Sequence, residues 1–375
     1  MVEIKIDSSF QKLRVAFIIS IISVCVALFF TKPKIDDIER DLNTDALQLW
    51  KAIEIKKNNL ASDLSQFTPN SGEAKYVFRL TAPVIMKVFD LSRKSMFIVV
   101  LAFGFLTYIY WNLICLNLFK SVKYSFLLSI ALATSYFGVA FYIDTGTPVN
   151  ATSYLFVLMA IYFTIKRSYF LYPILILMFF NDERAVLAYS FIGYYQLFHQ
   201  NFNFKKLLGK DFLLLCATFL FCLITKVVLS QIWNVSTPLS GVGLDILIGQ
   251  WKYLNFGLFT GLEGFIIPIV IACYVFLRKK NWIELSFILG ISIIFILGAS
   301  IVSDMTKSIA YLVPFTIILF SRISALKVNI QHLLASVVII NLIVPTMVAV
   351  GPNLFSWYSF GFDIFFKIMT ILEFK

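Results

Sequence analysis

Apolar runs of close to 20 residues, each about one bilayer thickness as helix, recur along this chain and are broken by short polar clusters. They predict spans near 14–31, 96–119, 124–143, 149–165, 169–180, 185–199, 211–230, 261–277, 283–302, 309–321 and 331–350. The period-2 alternation of a membrane barrel is missing, so the pattern predicts an all-α polytopic membrane protein with about 11 transmembrane helices. Two runs are short. As helix, 169–180 covers only about 18 Å. Reading 169–199 as one helix would bury Asp182, Glu183 and Arg184 at mid-membrane. It would also place Lys205 and Lys206 on the opposite face from the other basic loops. Two short helices, with 181–184 recessed between them, satisfy both constraints.

The polar stretches divide into two kinds. A large first loop, 32–94, holds two predicted interfacial helices. One is Asp45 to Ile55, with Trp50 expected at headgroup level; the other is Val84 to Leu91, with Pro83 at an early helical position. Residues 58–75 read as loop. The C-terminal piece, 351–375, is aromatic and amphipathic and is expected in the membrane interface. Everything belongs to one integral membrane domain, 1–375.

Charge then orients the spans. The net charge of +11 lies in short loops: Lys120 and Lys123; Lys166 and Arg167; Lys205, Lys206 and Lys210; Arg278 to Lys280; Arg322 and Lys327. With Lys5, Lys12 and Arg14 these occupy alternate connections, the positive-inside pattern rather than a nucleic-acid surface. The N-terminus is therefore expected in the cytoplasm. The 32–94 loop, Asp144, the 181–184 cluster, the 231–258 loop and the 303–307 cluster are expected outside. No small-residue cleavage site follows the first run, which reads as a retained helix. Mean hydropathy of +0.85 excludes a soluble domain. The five cysteines fall in apolar segments without disulfide or metal spacing, and two histidines make no metal set.

Ionisable groups at a membrane boundary cost energy unless solvated or paired, so clusters expected on one face point to a polar site. In the first loop, Asp36, Asp37 and Asp45 are candidate general bases, alongside Asp41. The competing reading is a solvated loop balanced by Lys32, Lys34 and Arg40. Arg79 matches phosphate geometry; otherwise it anchors a headgroup or pairs with Asp45 or Glu73. Asp182, Glu183 and Arg184 could simply close a turn by pairing, or Arg184 could bind phosphate while a carboxylate orients substrate hydroxyls. Asp304 and Lys307 form an i,i+3 pair that would be weak in water, and Lys307 suits a phosphate as a point charge. Asp144 is expected to cap the turn that follows it. No nucleotide loop, nucleophile elbow or metal ligand array is present.

These stretches together resemble bacterial polytopic glycosyltransferases of the GT-C class. The features are Asp36 to Asp45 in a first loop with interfacial helices, Arg79 to Pro83, Asp182 to Arg184 after a short middle span, and Asp304 to Lys307 before a late one. The resemblance covers residues 14 to 321 and departs in two ways: several first-loop acids compete, and Lys307 stands where arginine is also common. It implies a polyprenyl-phosphate-linked sugar donor, a lipid-linked or surface glycan acceptor, and transfer outside the bacterial inner membrane. Asp36, Asp37 or Asp45 would act as base. Arg79, Arg184 and Lys307 would hold the leaving phosphate, with Asp182, Glu183 and Asp304 beside it. No cofactor is implied, and a divalent metal is not indicated by any residue pattern. Three other readings compete: an O-antigen or capsule polymerase, disfavoured because its large loop belongs late in the chain; a transporter or flippase of lipid-linked sugars; and a non-catalytic membrane subunit.

Overall fold

The computed structural model describes residues 8–34, 48–67, 73–199, 209–235, 244–302, 304–326, 328–343, 347–350 and 353–356. Among them the protein is helical, apart from one short hairpin. In chain order the helices are α1 (Ser9–Phe30), α2 (Gln48–Asn58), α3 (Thr81–Val88), α4 (Arg93–Phe119), α5 (Val122–Ala133), α6 (Tyr136–Ile143), α7 (Val149–Ile165), α8 (Leu171–Phe179) and α9 (Tyr189–His199). They continue as α10 (Lys210–Ile232), α11 (Leu244–Gln250), α12 (Leu254–Leu262), α13 (Ile266–Arg278), α14 (Trp282–Ser300), α15 (Met305–Ile309), α16 (Val313–Ala325) and α17 (Gln331–Ile343).

Helices stand at all the predicted places, but among the described residues six runs are long and apolar enough to cross a membrane alone. These are α1, α4, α10, α14, the continuous 246–278 run through α11–α13, and the 305–325 run through α15–α16. The α5–α6 pair, bent by 50°, makes a seventh if its two halves are taken as one span. The bend has a local cause. Thr134 and Ser135 turn their hydroxyls back onto the carbonyls of Ile130 and Leu132, at 3.2 and 2.8 Å. Such side-chain bonds compete with the helical ladder and bend it. The α17 helix stops at Ile343, short of the expected 350. Met347–Val350 instead pairs antiparallel with Asn353–Ser356. The rest of the expected C-terminal interfacial segment lies outside the described residues.

Polar side chains pin the bundle at its middle and at both ends. Buried Asn112 of α4 donates to Ser20 of α1 at 3.2 Å and accepts from Ser125 and Ser129 of α5 at 2.7 and 2.6 Å. At one end, Lys12 and Lys166 both donate to Asn117, at 3.2 and 3.1 Å. Arg322 of α16 pairs there with buried Glu284 of α14 and covers the Phe198 ring. That end carries the basic connections.

The opposite end carries the first loop. Trp50 of α2 is buried and donates to the Thr145 carbonyl at 2.8 Å, so it is an anchor within the protein and not a headgroup residue. The reason is that α2 packs against α3 and the 73–77 turn, with Ala52 and Ile53 also buried. Lys56 closes the loop by donating to the carbonyls of Leu60 and Ser62. The α3 helix takes Pro83 in its first turn, where a missing N–H loses nothing.

Candidate functional site

Five separated segments bring their charges together at the first-loop end. The centre is Asp182, fully buried, at the start of the 3-10 turn 183–188 between α8 and α9. Its carboxylate accepts from Arg184 Nη2 at 2.6 Å, from Arg184 Nε at 3.0 and 3.1 Å, and from the Arg184 backbone N–H at 3.1 Å. Tyr311 donates a further bond at 2.9 Å from the turn preceding α16. A buried carboxylate is tolerated because its lone pairs are satisfied.

Arg184 is equally committed. Besides Asp182, it donates to Asn150 Oδ1 of α7 at 2.7 Å and to Ser308 Oγ of α15 at 3.2 Å. Of its five N–H groups, these bonds leave one at Nη1. Arg184 is thus first a keystone that ties α7, the 183–188 turn and α15 together.

Arg79 is less spent. Its Nε donates to Glu183 Oε2 at 3.1 Å, and Nη2 stands 3.8 Å from Asp182. That distance is an ion pair and not a hydrogen bond, so its Nη hydrogens make no hydrogen bond to the described residues. Lys226, in mid-helix on α10, lies 3.7 Å from Glu183 and over the Phe78 ring. Lys307 donates to Asp144 at 3.1 Å and lies 3.9 Å from Asp304. Asp144 also accepts from Tyr136 at 3.1 Å and Asn150 at 2.5 Å. It therefore joins this network instead of capping the following turn. Glu183 and Asp304 are the open carboxylates, each with 37% of the side chain exposed.

The electrostatics follow from this placement. Burial alone would push the Asp182 carboxyl up, but Arg184 and Arg79 outweigh it and hold it well below the usual carboxylate range. Asp304 is lowered in the same way, burial being overcome by Lys307 and Arg184. Burial, then the Arg79 charge, lowers the Lys75 amine at the rim of the site.

The sequence-predicted residues Arg79, Asp182, Glu183, Arg184, Asp304 and Lys307 thus lie together. Arg79 pairs with Glu183 rather than Glu73, and Asp45 lies outside the described residues. So do the other candidate bases, Asp36 and Asp37. Sequence reasoning passed over Asn150, Tyr136, Ser308, Tyr311 and Lys75, whose types carry no signal of their own. Lys226 did carry one, as an isolated charge within an apolar run. No cluster of three or more His, Cys, Asp or Glu with metal-holding geometry occurs among the described residues. No protein-family model, curated protein or solved structure matches the chain.

Proposed function

We propose that this protein is a GT-C-like glycosyltransferase of the bacterial inner membrane, with about 11 spans, a cytoplasmic N-terminus and the charge cluster facing outward. It transfers a sugar from a polyprenyl-phosphate donor to a lipid-linked or surface glycan acceptor. One observation carries the reading: Arg79, Lys226 and Lys307 converge from separate elements with N–H groups to spare. Donors fixed where an anion develops are the arrangement that a departing phosphate needs.

In the step itself, the acceptor hydroxyl oxygen bonds to the anomeric carbon of the sugar. The bond from that carbon to the phosphate oxygen breaks, and the lipid phosphate leaves with the electron pair. Arg79, Lys226 and Lys307 stabilise it, with Arg184 holding the frame. The hydroxyl proton passes to a first-loop carboxylate, Asp36, Asp37 or Asp45.

The test is transfer of radiolabelled sugar from polyprenyl-phosphate donors in membranes. Arg79→Ala lowers transfer by about 100-fold or more at equal protein level, in the range seen when one oxyanion donor is lost. One of Asp36→Asn, Asp37→Asn or Asp45→Asn abolishes it. Wild-type membranes that transfer no sugar from any such donor, but move a lipid-linked sugar across vesicles, would replace this reading with a flippase. The bent α5–α6 pair is the observation that favours that second reading, because broken helices are the devices of transporters.

A further inference from the structure

Glu263 is a carboxyl that the transfer reaction leaves unused. It lies near the middle of the 246–278 run, one of those long and apolar enough to cross a membrane. It is 1% exposed, and neither carboxyl oxygen makes a hydrogen bond to the described residues. Its backbone has φ 48° and ψ −128°, a conformation open to glycine and strained for any other residue. Glycines stand at 261 and 264, yet the strained position itself carries the acid. Strain held at an ionisable group within a span points to function rather than to packing.

Two helix breaks meet around this residue. Glu263 separates α12 from α13, and Thr134-Ser135 separate α5 from α6. Asn341 of α17 joins the two. Its side chain accepts from the Gly264 N–H at 2.6 Å and donates to the Ala131 carbonyl at 2.9 Å. The Tyr136 N–H, in the first turn of α6, faces the Glu263 carboxyl. The walls are aromatic: the Trp111 ring meets those of Phe265 and Phe137 at centroid distances of 5.8 and 6.4 Å. Among the described residues no charged side chain acts on Glu263. Of the titratable groups on the elements packed here, Tyr108 donates to the Gly138 carbonyl, and Tyr136 and Lys307 donate to Asp144. Arg278 donates to Tyr274 at the far end of α13, and His332 stands in the first turn of α17. Cys115 and Cys273 bring thiols and no charge. An ionised carboxylate without a counterion is costly in such a seam, whereas the neutral acid is tolerated. Paired helix breaks inside a membrane are also where coupling ions bind in transporters.

We propose that Glu263 is a proton-binding site that couples protonation of the chain to closure of the seam between these two breaks. With the seam closed, the carboxyl holds its proton. When the breaks part, the O–H bond gives the proton to water and the electron pair stays on the carboxylate. The start of α6, where helix N–H groups are left unpaired, then faces the charge. The exchange runs toward the charge cluster, because Tyr136 spans from the seam to Asp144. This inference stands whether or not a sugar is transferred.

The first test treats the purified wild type with a hydrophobic carbodiimide, which forms a stable N-acylurea on a protonated carboxyl in apolar surroundings. The adduct is mapped by mass spectrometry. Glu263 is modified at pH 7, where a solvated glutamate, with a pKa of about 4.3, is ionised. Modification falls at least tenfold by pH 9.5 and is unaffected by about 100 mM sodium. No modification at pH 7 would overturn the proposal, and protection by sodium at that pH would replace the proton with a metal cation. The second test compares hydrogen–deuterium exchange of segments 131–139 and 260–268 in the wild type and Glu263→Gln at matched pH, which cancels the intrinsic pH dependence. Glutamine keeps the size and the neutral state, so the two proteins exchange alike at pH 6. At pH 9.5 the wild type exchanges at least tenfold faster, because glutamine cannot ionise. Equal exchange at every pH would make Glu263 a neutral packing group and overturn the coupling. None of these outcomes bears on the sugar-donor reading.

Discussion

At the scale of single residues, Asp182 shows how an expensive group becomes structural. An ionised carboxylate away from water is tolerated only with partners, and this one has Arg184, Arg79 and Tyr311. Its acid form is disfavoured in the fold, so its contribution to stability is fully present above the ordinary carboxylate pKa of about 3.9 and is lost only as pH falls through the lowered value. Thermal unfolding in detergent is therefore expected to show no Asp182-dependent change between pH 7 and 5. The loss sets in below about pH 4. Asp182→Asn removes that acid dependence and lowers stability at pH 7 by about 3–5 kcal/mol, since Arg184 keeps a buried charge without its counterion. The variant's melting profile over pH 3–7 checks both parts. A pair elsewhere gives the control. Arg322→Ala strands Glu284, itself buried at the basic end, at a similar cost but without moving the site.

At the scale of elements, the site depends on how closely α12 meets α15. Gly257 and Gly261, one turn apart on α12, lie against Met305 and Ile309 of α15. A Cβ would fall 2.0 Å from the Met305 sulfur and 2.7 Å from Ile309. Thr260 and Thr306 share a hydrogen bond at 2.6 Å across the contact. Small residues spaced this way let helix backbones approach within a membrane. The α15 helix carries Lys307 and Ser308, so the contact sets the height of one cation and one Arg184 partner. Gly261→Val is expected to push α15 away, lowering stability by about 1–3 kcal/mol, the usual range for overpacking. Phosphate-lipid affinity falls with it, whereas Gly249→Val, at a position with open space, leaves binding unchanged. The Gly-x-x-x-Gly spacing is visible in the chain, but its partner helix is not. The same is true of the site. Asn181-Asp182-Glu183-Arg184 stood out because four consecutive polar residues between apolar runs need a reason. Asn150, Ser308 and Tyr311 did not, because a polar residue near a helix end is commonplace until a guanidinium is found beside it.

At the scale of the whole molecule, helix positions were legible because apolar runs and their polar breaks reflect burial, which is local in sequence. Span count was less legible, because α8 and α9 are too short to cross alone and α5–α6 bends. What a short helix does depends on neighbours, not on its own composition. Charge segregation links the two. Lys12, Lys166 and Arg322 meet partners at one end, while Arg79, Arg184 and Lys307 meet theirs at the other. Basic connections gather at the first end, whereas the cations of the second are paired with carboxylates, an asymmetry of the kind that the positive-inside bias acts on. In a background with its native cysteines replaced by serine, Asp90→Cys in the first loop is expected to react with a membrane-impermeant maleimide in intact cells. Lys279→Cys, at the basic end, reacts only after permeabilisation. Both side chains are exposed, so access alone decides the result. The reverse labelling would turn the charge cluster to the cytoplasm. Lipid-linked sugars assembled there would then meet the site before crossing the membrane, and the outward transfer reaction would have to be abandoned even if phosphate-lipid binding persisted.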